Sequence, residues 1–256
     1  MDSKDYFVEV QRGNIEGHSI VSKFGRNDSV PNGVWQLVSL SSPSGAFPAS
    51  GSPVRIKAGG DAADTAAGAG AREVTVIGID ASLAEVSETI TTSGAGASAY
   101  TTTSFWRTYR AFVSSVGTYG VNNTGDLTIE NAADDALIIT AGEGQTQHGA
   151  YTIPIGKVGY LLTVDIDTDA TKRADFRLFV RKNFNDVAAP MSPSQVKLHW
   201  DGVLGPISYR PRSPSIIIPA LSDVWIEAEG DGANTDVSVD FEILLIDDPT
   251  GPIKQA

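Results

Sequence analysis

The sequence predicts an all-β protein built from two β-sandwich or jelly-roll-like modules. Three observations lead to this fold class. Apolar and polar residues alternate with a period of two over many short segments, turn-forming residues separate those segments, and no window keeps a helical period. The 26 glycines and 13 prolines in the 256 residues also imply many turns. We therefore expect strands and loops to dominate, with little helix.

Residues 1–50 are predicted to form an extended N-terminal arm. Segments 6–11 and 33–40 can each form a short strand, and stretches rich in Ser, Pro, Gly and Asn surround them. Such an arm would fray in a monomer, so we expect its apolar side chains to dock on another surface of the same chain or of a neighbour. The interface residues predicted on this basis are Phe7, Val8, Ile20, Phe24, Trp35 and Leu37.

Residues 51–147 are predicted to form the first β-sandwich module. A strand is expected at 54–57, and segments 72–80 and 83–92 are expected to form a hairpin that turns at Ala81-Ser82. Two stretches of small residues, 58–71 and 93–99, are interpreted as long loops of a sandwich rather than as flexible linkers. Further strands are predicted at 105–119, 126–130 and 136–140.

Residues 148–248 are predicted to form the second, jelly-roll-like module, followed by a short tail at 249–256 that is disordered in isolation. Alternating patterns at 158–166 and 174–180 predict a hairpin across 168–172. The clearest alternation, at 235–245, predicts a half-buried antiparallel strand after a turn at 230–234. The remaining strands are predicted at 196–200, 215–218 and 224–229.

Composition restricts the classes of partner. Lys and Arg total 19 against 31 Asp and Glu, a net charge of −12, which disfavours binding to nucleic acid. The chain has no cysteine, so neither a disulfide nor a thiolate metal site can form. The N-terminus lacks a signal-peptide pattern, and no apolar stretch approaches the roughly 20 residues that cross a bilayer. We expect a soluble chain made in a cytosol, with no membrane partner.

The spacing Asp165-x-Asp167-x-Asp169 resembles the start of a calcium-binding loop. An EF-hand loop then needs Gly at its sixth position and Glu at its twelfth, where this chain has Ala170 and Phe176. The flanking sequence also has the period of a strand. We therefore interpret Asp165 and Asp167 as the solvated face of a strand and predict no metal site.

The chain also lacks a recognisable catalytic pattern. Its three histidines, His18, His148 and His199, have no pair spacing typical of zinc ligands, and no Gly-x-Ser-x-Gly motif occurs. A carboxylate pair for glycoside cleavage is a property of the fold and stays open at this stage. We predict that the protein is not an enzyme, has no catalytic residues and binds no cofactor.

Aromatic residues allow two interpretations. They can form a platform that stacks on sugars, or they can lie in the core and in subunit interfaces, which is the commoner situation in β proteins. A carbohydrate-binding or host-attachment module therefore remains an alternative, with Trp106 and Trp200 as its first candidates. The aromatics considered are Trp106, Tyr109, Tyr119, Trp200, Tyr209 and Trp225.

Several segments resemble virion structural proteins of tailed bacteriophages. The resemblance covers most of residues 20–248 and consists of β-hairpin patterns, without a catalytic signature. It implies a capsid decoration or cement protein, or a tail-associated adaptor or fibre-base protein, and it assigns no functional residues. The segments that carry it are Lys23-Phe24-Gly25-Arg26-Asn27, residues 58–65, 74–80 and 88–90, Tyr151-Thr152-Ile153-Pro154-Ile155-Gly156-Lys157, and residues 218–228.

The resemblance and the predicted arm together favour a structural protein of a phage virion. We expect a capsid decoration or cement protein that stabilises the head by bridging capsid subunits, with a tail adaptor or fibre-base ring as the alternative. The expected partners are the major capsid protein or other virion proteins and further copies of the chain, as a homotrimer. The expected location is the virion, assembled in the host cytoplasm, and symmetric assembly would supply many identical contacts.

Overall fold

The computed structural model describes residues 5–41, 46–131, 134–169, 171–210 and 216–248. A short helix, α1 (Tyr6–Gln11), precedes the strands. In chain order the strands are β1 (His18–Val30), β2 (Gln36–Leu37), β3 (Ser52–Ile56), β4 (Ala71–Asp80), β5 (Glu85–Thr91), β6 (Ser104–Val116), β7 (Leu127–Asn131), β8 (Asp134–Ile139), β9 (Ala150–Thr152), β10 (Lys157–Thr168), β11 (Ala174–Arg181), β12 (Ser194–Val203), β13 (Ile207–Tyr209), β14 (Ile217–Ile218), β15 (Asp223–Gly230) and β16 (Thr235–Asp247).

The predicted all-β, sandwich-like class is confirmed. The regular structure of the described ranges is almost entirely strand, and the strands within each sheet pair in antiparallel order. The predicted tail at 249–256 lies outside the described residues.

The chain divides into two compact units. Unit 1 comprises Met1–Val38 and Gly149–Ala256, and unit 2 comprises Ser39–His148, so unit 2 is inserted in the sequence of unit 1. This division differs from a separate arm over residues 1–50. The difference arises because β1 pairs with β16 along almost its whole length, from His18 opposite Ile246 to Val30 opposite Thr235. Residues predicted as an arm thus supply an edge strand of unit 1.

Unit 1 contains two antiparallel sheets. Sheet A has the strand order β1-β16-β10-β13, with β14 also paired to β10, and sheet B has the order β12-β11-β15-β2, with β9 also paired to β15. Burial alternates along the central strands, as expected for sheets with one face in a core. The buried side chains include Val164, Ile166, Phe176, Leu178, Ile226, Val239 and Phe241.

The hairpin predicted across residues 168–172 is wrong. Strand β10 belongs to sheet A and β11 belongs to sheet B, so the chain crosses between the two sheets at this point. The turn after β15 makes a second crossing, from sheet B to sheet A. Backbone hydrogen bonds join the two crossings, including 3.0 Å from the Asp231 amide to the Arg173 carbonyl and 3.0 Å from the Asp169 amide to the Asp236 carbonyl.

The strand predicted at residues 6–11 is also wrong, because this segment is α1. Asp5 is the N-cap, and its side chain accepts hydrogen bonds from the amides of Phe7 (3.0 Å) and Val8 (3.3 Å). A capping carboxylate satisfies amides that have no partner inside a helix, and it is favoured at the positive end of the helix dipole. The cap therefore outweighs the strand preference of the apolar residues that follow.

Unit 2 is built on one six-stranded sheet with the order β5-β4-β6-β3-β7-β8. The predicted β4–β5 hairpin is confirmed, with Glu73 opposite Thr91 and Ile79 opposite Glu85. Asp80 organises its turn by accepting hydrogen bonds from Ser82 and from the amide of Ala84. Partial burial raises the pKa of Asp80, but these hydrogen bonds outweigh that effect and leave the pKa below its ordinary value.

A buried carboxylate fixes the first small-residue loop of unit 2. Asp64 is fully buried, and its Oδ1 accepts hydrogen bonds from the amides of Ala71 (2.7 Å) and Thr124 (2.9 Å). Its Oδ2 accepts from the amides of Thr124 (3.0 Å) and Gly125 (2.9 Å). The loop is therefore tied both to the start of β4 and to the segment before β7.

Candidate functional site

The outward face of sheet A carries acidic side chains on adjacent strands. Asp165 on β10 lies directly opposite Asp240 on β16, and Ser208 on β13 donates a hydrogen bond to Asp165. Burial raises the pKa of Asp240, and the nearby charge of Asp165 raises it further. Directly opposed like charges destabilise a strand pair. Asp165 and Asp167 lie on a strand face, as the sequence predicts.

Shallow cavities lie along this acidic face. One of about 290 Å³ is lined by residues that include Phe24, Arg210, Asp240 and Glu242, and two others of about 330 and 390 Å³ lie beside Asp167. In the part of the chain that the structure describes, no group of three or more His, Cys, Asp or Glu residues has an arrangement that could hold a metal ion. The face is therefore a polar, open surface.

The outward face of sheet B holds an ordered cluster of aromatic and charged groups. The Arg177 guanidinium lies 3.4 Å from the ring centroid of Trp35 and 5.1 Å from that of Phe179. The ring of Phe179 stacks on that of Trp225, with centroids 5.2 Å apart and planes at 11°. Glu227 accepts hydrogen bonds from Arg177 (3.3 Å) and from the Trp225 indole (2.9 Å). One face of each of these rings is thus covered by a protein group.

The aromatics singled out from the sequence are divided between the two units and differ in exposure. Tyr109 and Trp225 are buried, whereas Tyr119 is fully exposed in unit 2. Trp200 and Tyr209 meet edge to face, with ring centroids 6.1 Å apart. This edge-to-face pair does not form the flat row of rings on which a sugar could stack.

The three histidines lie in separate environments. His148 is buried, and its Nδ1 is 2.8 Å from the Ser39 hydroxyl and 3.4 Å from the Ser41 hydroxyl. His18 contacts a tyrosine ring edge to face, and His199 lies 3.1 Å from Asp201. The Ser39–His148 contact was not predicted, because the two residues are far apart in sequence. Both side chains are buried, so their hydrogen bonds satisfy polar groups inside unit 2.

Helix α1 presents an apolar surface, which we call the helix patch: Tyr6, Phe7 and Val8. These three side chains are 41%, 46% and 47% exposed. The next two residues, Glu9 and Val10, are buried and anchor the helix. Three consecutive large apolar residues are therefore held in fixed positions in solvent, although the same helix buries its other side.

A second set of exposed apolar side chains lies in β12 and in the segments before and after it in sequence. Among the described residues, β12 is the last strand of sheet B, and most of its residues are exposed or half-buried. Five large apolar side chains in and around it are between 39% and 58% exposed. We call this set the edge patch: Val187, Met191, Val196, Leu204 and Ile207.

The structure places the predicted interface residues in three different environments. Phe7 and Val8 are exposed in the helix patch, and three others, Ile20, Phe24 and Trp35, are half-buried in unit 1. Leu37 is only 4% exposed, because it pairs with β15 inside sheet B. The arm pattern did not reveal this pairing, so Leu37 is unavailable as an interface residue in the folded unit.

No protein-family model matches the chain, and comparison with curated proteins finds no match. Two solved structures are weakly similar. The crystal structure of the infectious bursal disease virus VP2 subviral particle is 8% identical, with a TM-score of 0.21, covering 97% of this chain and 84% of that chain. The structure of the infectious bursal disease virus Gt strain is 10% identical, with the same TM-score and coverage. These values are too low to establish a shared fold or function.

The helices of the described residues include no candidate for a membrane-spanning segment. Within the described ranges, no helix combines the length and the apolar character that crossing a bilayer requires.

Proposed function

We propose that this chain is a structural protein of a virus particle, and specifically a decoration or cement protein on the head of a tailed bacteriophage. In this role it is not an enzyme, and it acts by binding capsid subunits and bridging them. The proposal rests on the sequence resemblance described above and on the helix patch, which is the observation in the structure that carries it.

The helix patch suits attachment to another protein surface. Exposed apolar side chains cost little free energy when isolated, but a fixed group of aromatic and aliphatic residues gains free energy when a partner covers it, at about 25 cal/mol per Å² of apolar area. Aromatic anchors are also enriched among the residues that dominate binding energy. Phe7 and Val8, two of the interface residues predicted from sequence, belong to this patch.

A binding experiment on particles tests the proposal. Purified protein is added to phage heads that lack it, and bound protein is measured after sedimentation. Phe7→Ser combined with Val8→Ser should weaken binding at least about tenfold, because roughly 1.4 kcal/mol of apolar contact is lost. Tyr119→Ser is the matched control, since Tyr119 is fully exposed in unit 2 and outside the patch. Equal binding by all three proteins would contradict the role of the helix patch.

Two further measurements separate the particle roles. A cement protein should raise the resistance of heads to heat and osmotic shock, so heads without it should break at lower temperature. Its copy number per particle should also follow the number of capsid subunits. A copy number that matches a single ring would instead favour the tail adaptor or fibre-base alternative.

A carbohydrate-binding role lacks comparable support. Sugars stack on open aromatic faces, whereas one face of the Trp35 ring is covered by Arg177 and one face of the Trp225 ring is covered by Phe179. Trp200 and Tyr209 meet edge to face rather than side by side. We therefore make no second proposal on the aromatic residues.

A further inference from the structure

The free edge of β12 has the features of a pairing surface. A strand at the end of a sheet presents unpaired backbone N–H and C=O groups, and natural proteins protect long edges with charges, bulges or short strands. Strand β12 spans ten residues; Val196 of the edge patch lies in it, and the other four side chains lie in segments that precede or follow it in sequence. Strand β12 carries charged residues, Lys197 and Asp201, at its two register shifts, so a partner strand that pairs with this edge has to match them.

The charges on β12 are complementary to those of a second β12 in antiparallel orientation. Leu198, His199 and Trp200 pair with β11 without a register shift, and shifts occur on either side of this run. A two-fold axis through His199 places Lys197 of one copy opposite Asp201 of the other, and it does so twice. Opposite charges on facing strand positions are stabilising.

Other registers lose this complementarity. A shift that centres the two-fold axis on Lys197 puts that ammonium group opposite its own copy, and like charges directly opposite one another are destabilising. The register centred on His199 also brings Leu198 against Trp200 of the partner subunit. Both residues are half-buried in the single chain, so pairing would remove further apolar area from water.

We propose that two copies of this chain associate through antiparallel pairing of their β12 edges about a two-fold axis at His199. The contact extends sheet B across the axis. Backbone hydrogen bonds supply affinity, and the two Lys197–Asp201 pairs select the register. The inference goes beyond the particle role proposed above, since that role could be filled by single copies with this edge open.

A charge-swap experiment on the purified full chain tests the pairing. Sedimentation equilibrium over a range of protein concentrations should give a monomer–dimer equilibrium for the natural sequence. Lys197→Asp should raise the dimer dissociation constant at least about tenfold, because it creates two like-charge contacts. Asp201→Lys should do the same, and the double variant should restore the original constant because the pairs are re-formed with reversed sign.

Two controls make the same charge changes elsewhere on exposed positions. Arg110→Asp and Glu143→Lys alter residues of unit 2 that are exposed, and both should leave the dissociation constant unchanged. Circular dichroism of every variant checks that the fold is kept. The proposal is overturned if the natural sequence stays monomeric at about 100 μM, a weak-affinity limit, or if the single variants associate as it does. It is also overturned if the double variant fails to restore pairing while remaining folded.

This test and the particle test have separate readouts. The helix-patch variants should lose binding to phage heads but keep the natural dimer dissociation constant in sedimentation. The β12 variants should lose pairing and leave the helix patch unchanged. The homotrimer expected from the sequence would need a different surface, because a closed two-fold contact uses the β12 edges of both copies.

Discussion

Replacement of Asp64 by asparagine should destabilise unit 2 more than any conservative change on its surface. The side chain is fully buried and holds three backbone amides, those of Ala71, Thr124 and Gly125. An asparagine of the same shape keeps only one oxygen. Whichever way its amide group is oriented, its NH₂ faces the half-buried amide of Gly125 or the buried amide of Ala71, and that donor loses its acceptor.

The size of the effect follows from these contacts. An amide that loses its acceptor costs about 1–3 kcal/mol, with the lower end applying to the half-buried Gly125 amide. The remaining hydrogen bonds change from charged to neutral acceptors and weaken by about 1 kcal/mol each. The free energy of unfolding of unit 2 should therefore fall by roughly 3–5 kcal/mol. At about 4 °C per kcal/mol for a unit of this size, the melting temperature should drop by roughly 10–20 °C.

Hydrogen exchange measured by mass spectrometry gives the required readout, because peptides of unit 2 can be followed separately. The matched control is Asp61→Asn in the same loop, since Asp61 is exposed and accepts one hydrogen bond, from the amide of Ala63 (2.7 Å). The control should change the free energy by less than about 0.5 kcal/mol, as surface substitutions usually do. If the two variants open with free energies within about 1 kcal/mol of each other, the buried carboxylate is not what holds the loop.

Two further predictions concern unit 1. Burial and the charge of Asp165 raise the pKa of Asp240 in the folded chain. Ionised Asp240 therefore lowers the free energy of unfolding at pH values above the raised pKa. It has no such effect below the ordinary aspartate pKa, because the group is then protonated in both the folded and the unfolded chain. Asp240→Asn should thus raise the unfolding free energy at pH 7 and lose this advantage near pH 3, as checked by urea unfolding at both pH values; equal gains at both would contradict the linkage. Gly25→Ala should unfold unit 1 or prevent its folding, because the added Cβ would overlap the backbone carbonyl of Val38, whereas Gly232→Ala in the same unit makes only ordinary contacts and should melt near the natural temperature.

The residue pattern predicted which faces of strands are buried, but it did not predict which strands pair. The alternation of Val237, Val239 and Phe241 with polar residues correctly placed the apolar side chains in the core. The alternation does not identify the pairing partner, because a strand shows the same pattern whether the next strand pairs with it in a hairpin or belongs to the other sheet. The segments before and after residues 168–172 therefore looked like a hairpin although they belong to different sheets.

The environments of individual residues could likewise be predicted only where they depend on the local sequence. The exposed position of Phe7 and Val8 could be expected from an apolar terminal segment, whereas the burial of Leu37 depends on its pairing with β15. Asp64 stood in a stretch of glycine and alanine that was interpreted only as a loop. Its role depends on the amide of Thr124, 60 residues away, and no local spacing signals such a contact.

The edges of unit 1 give the reason why β12 is the strand we expect to pair. Strands β2, β13 and β14 are two or three residues long, and edges this short offer few backbone groups to another chain. Strand β1 is long, but other parts of unit 1 already contact it, since its Gly25 lies against the backbone of Val38 and the Asn27 side chain donates a hydrogen bond to the Leu37 carbonyl (3.3 Å). Strand β12 is long, and the charged residues Lys197 and Asp201 lie at its two register shifts. A two-fold partner matches these charges with opposite ones, so on this edge the charges favour a second copy.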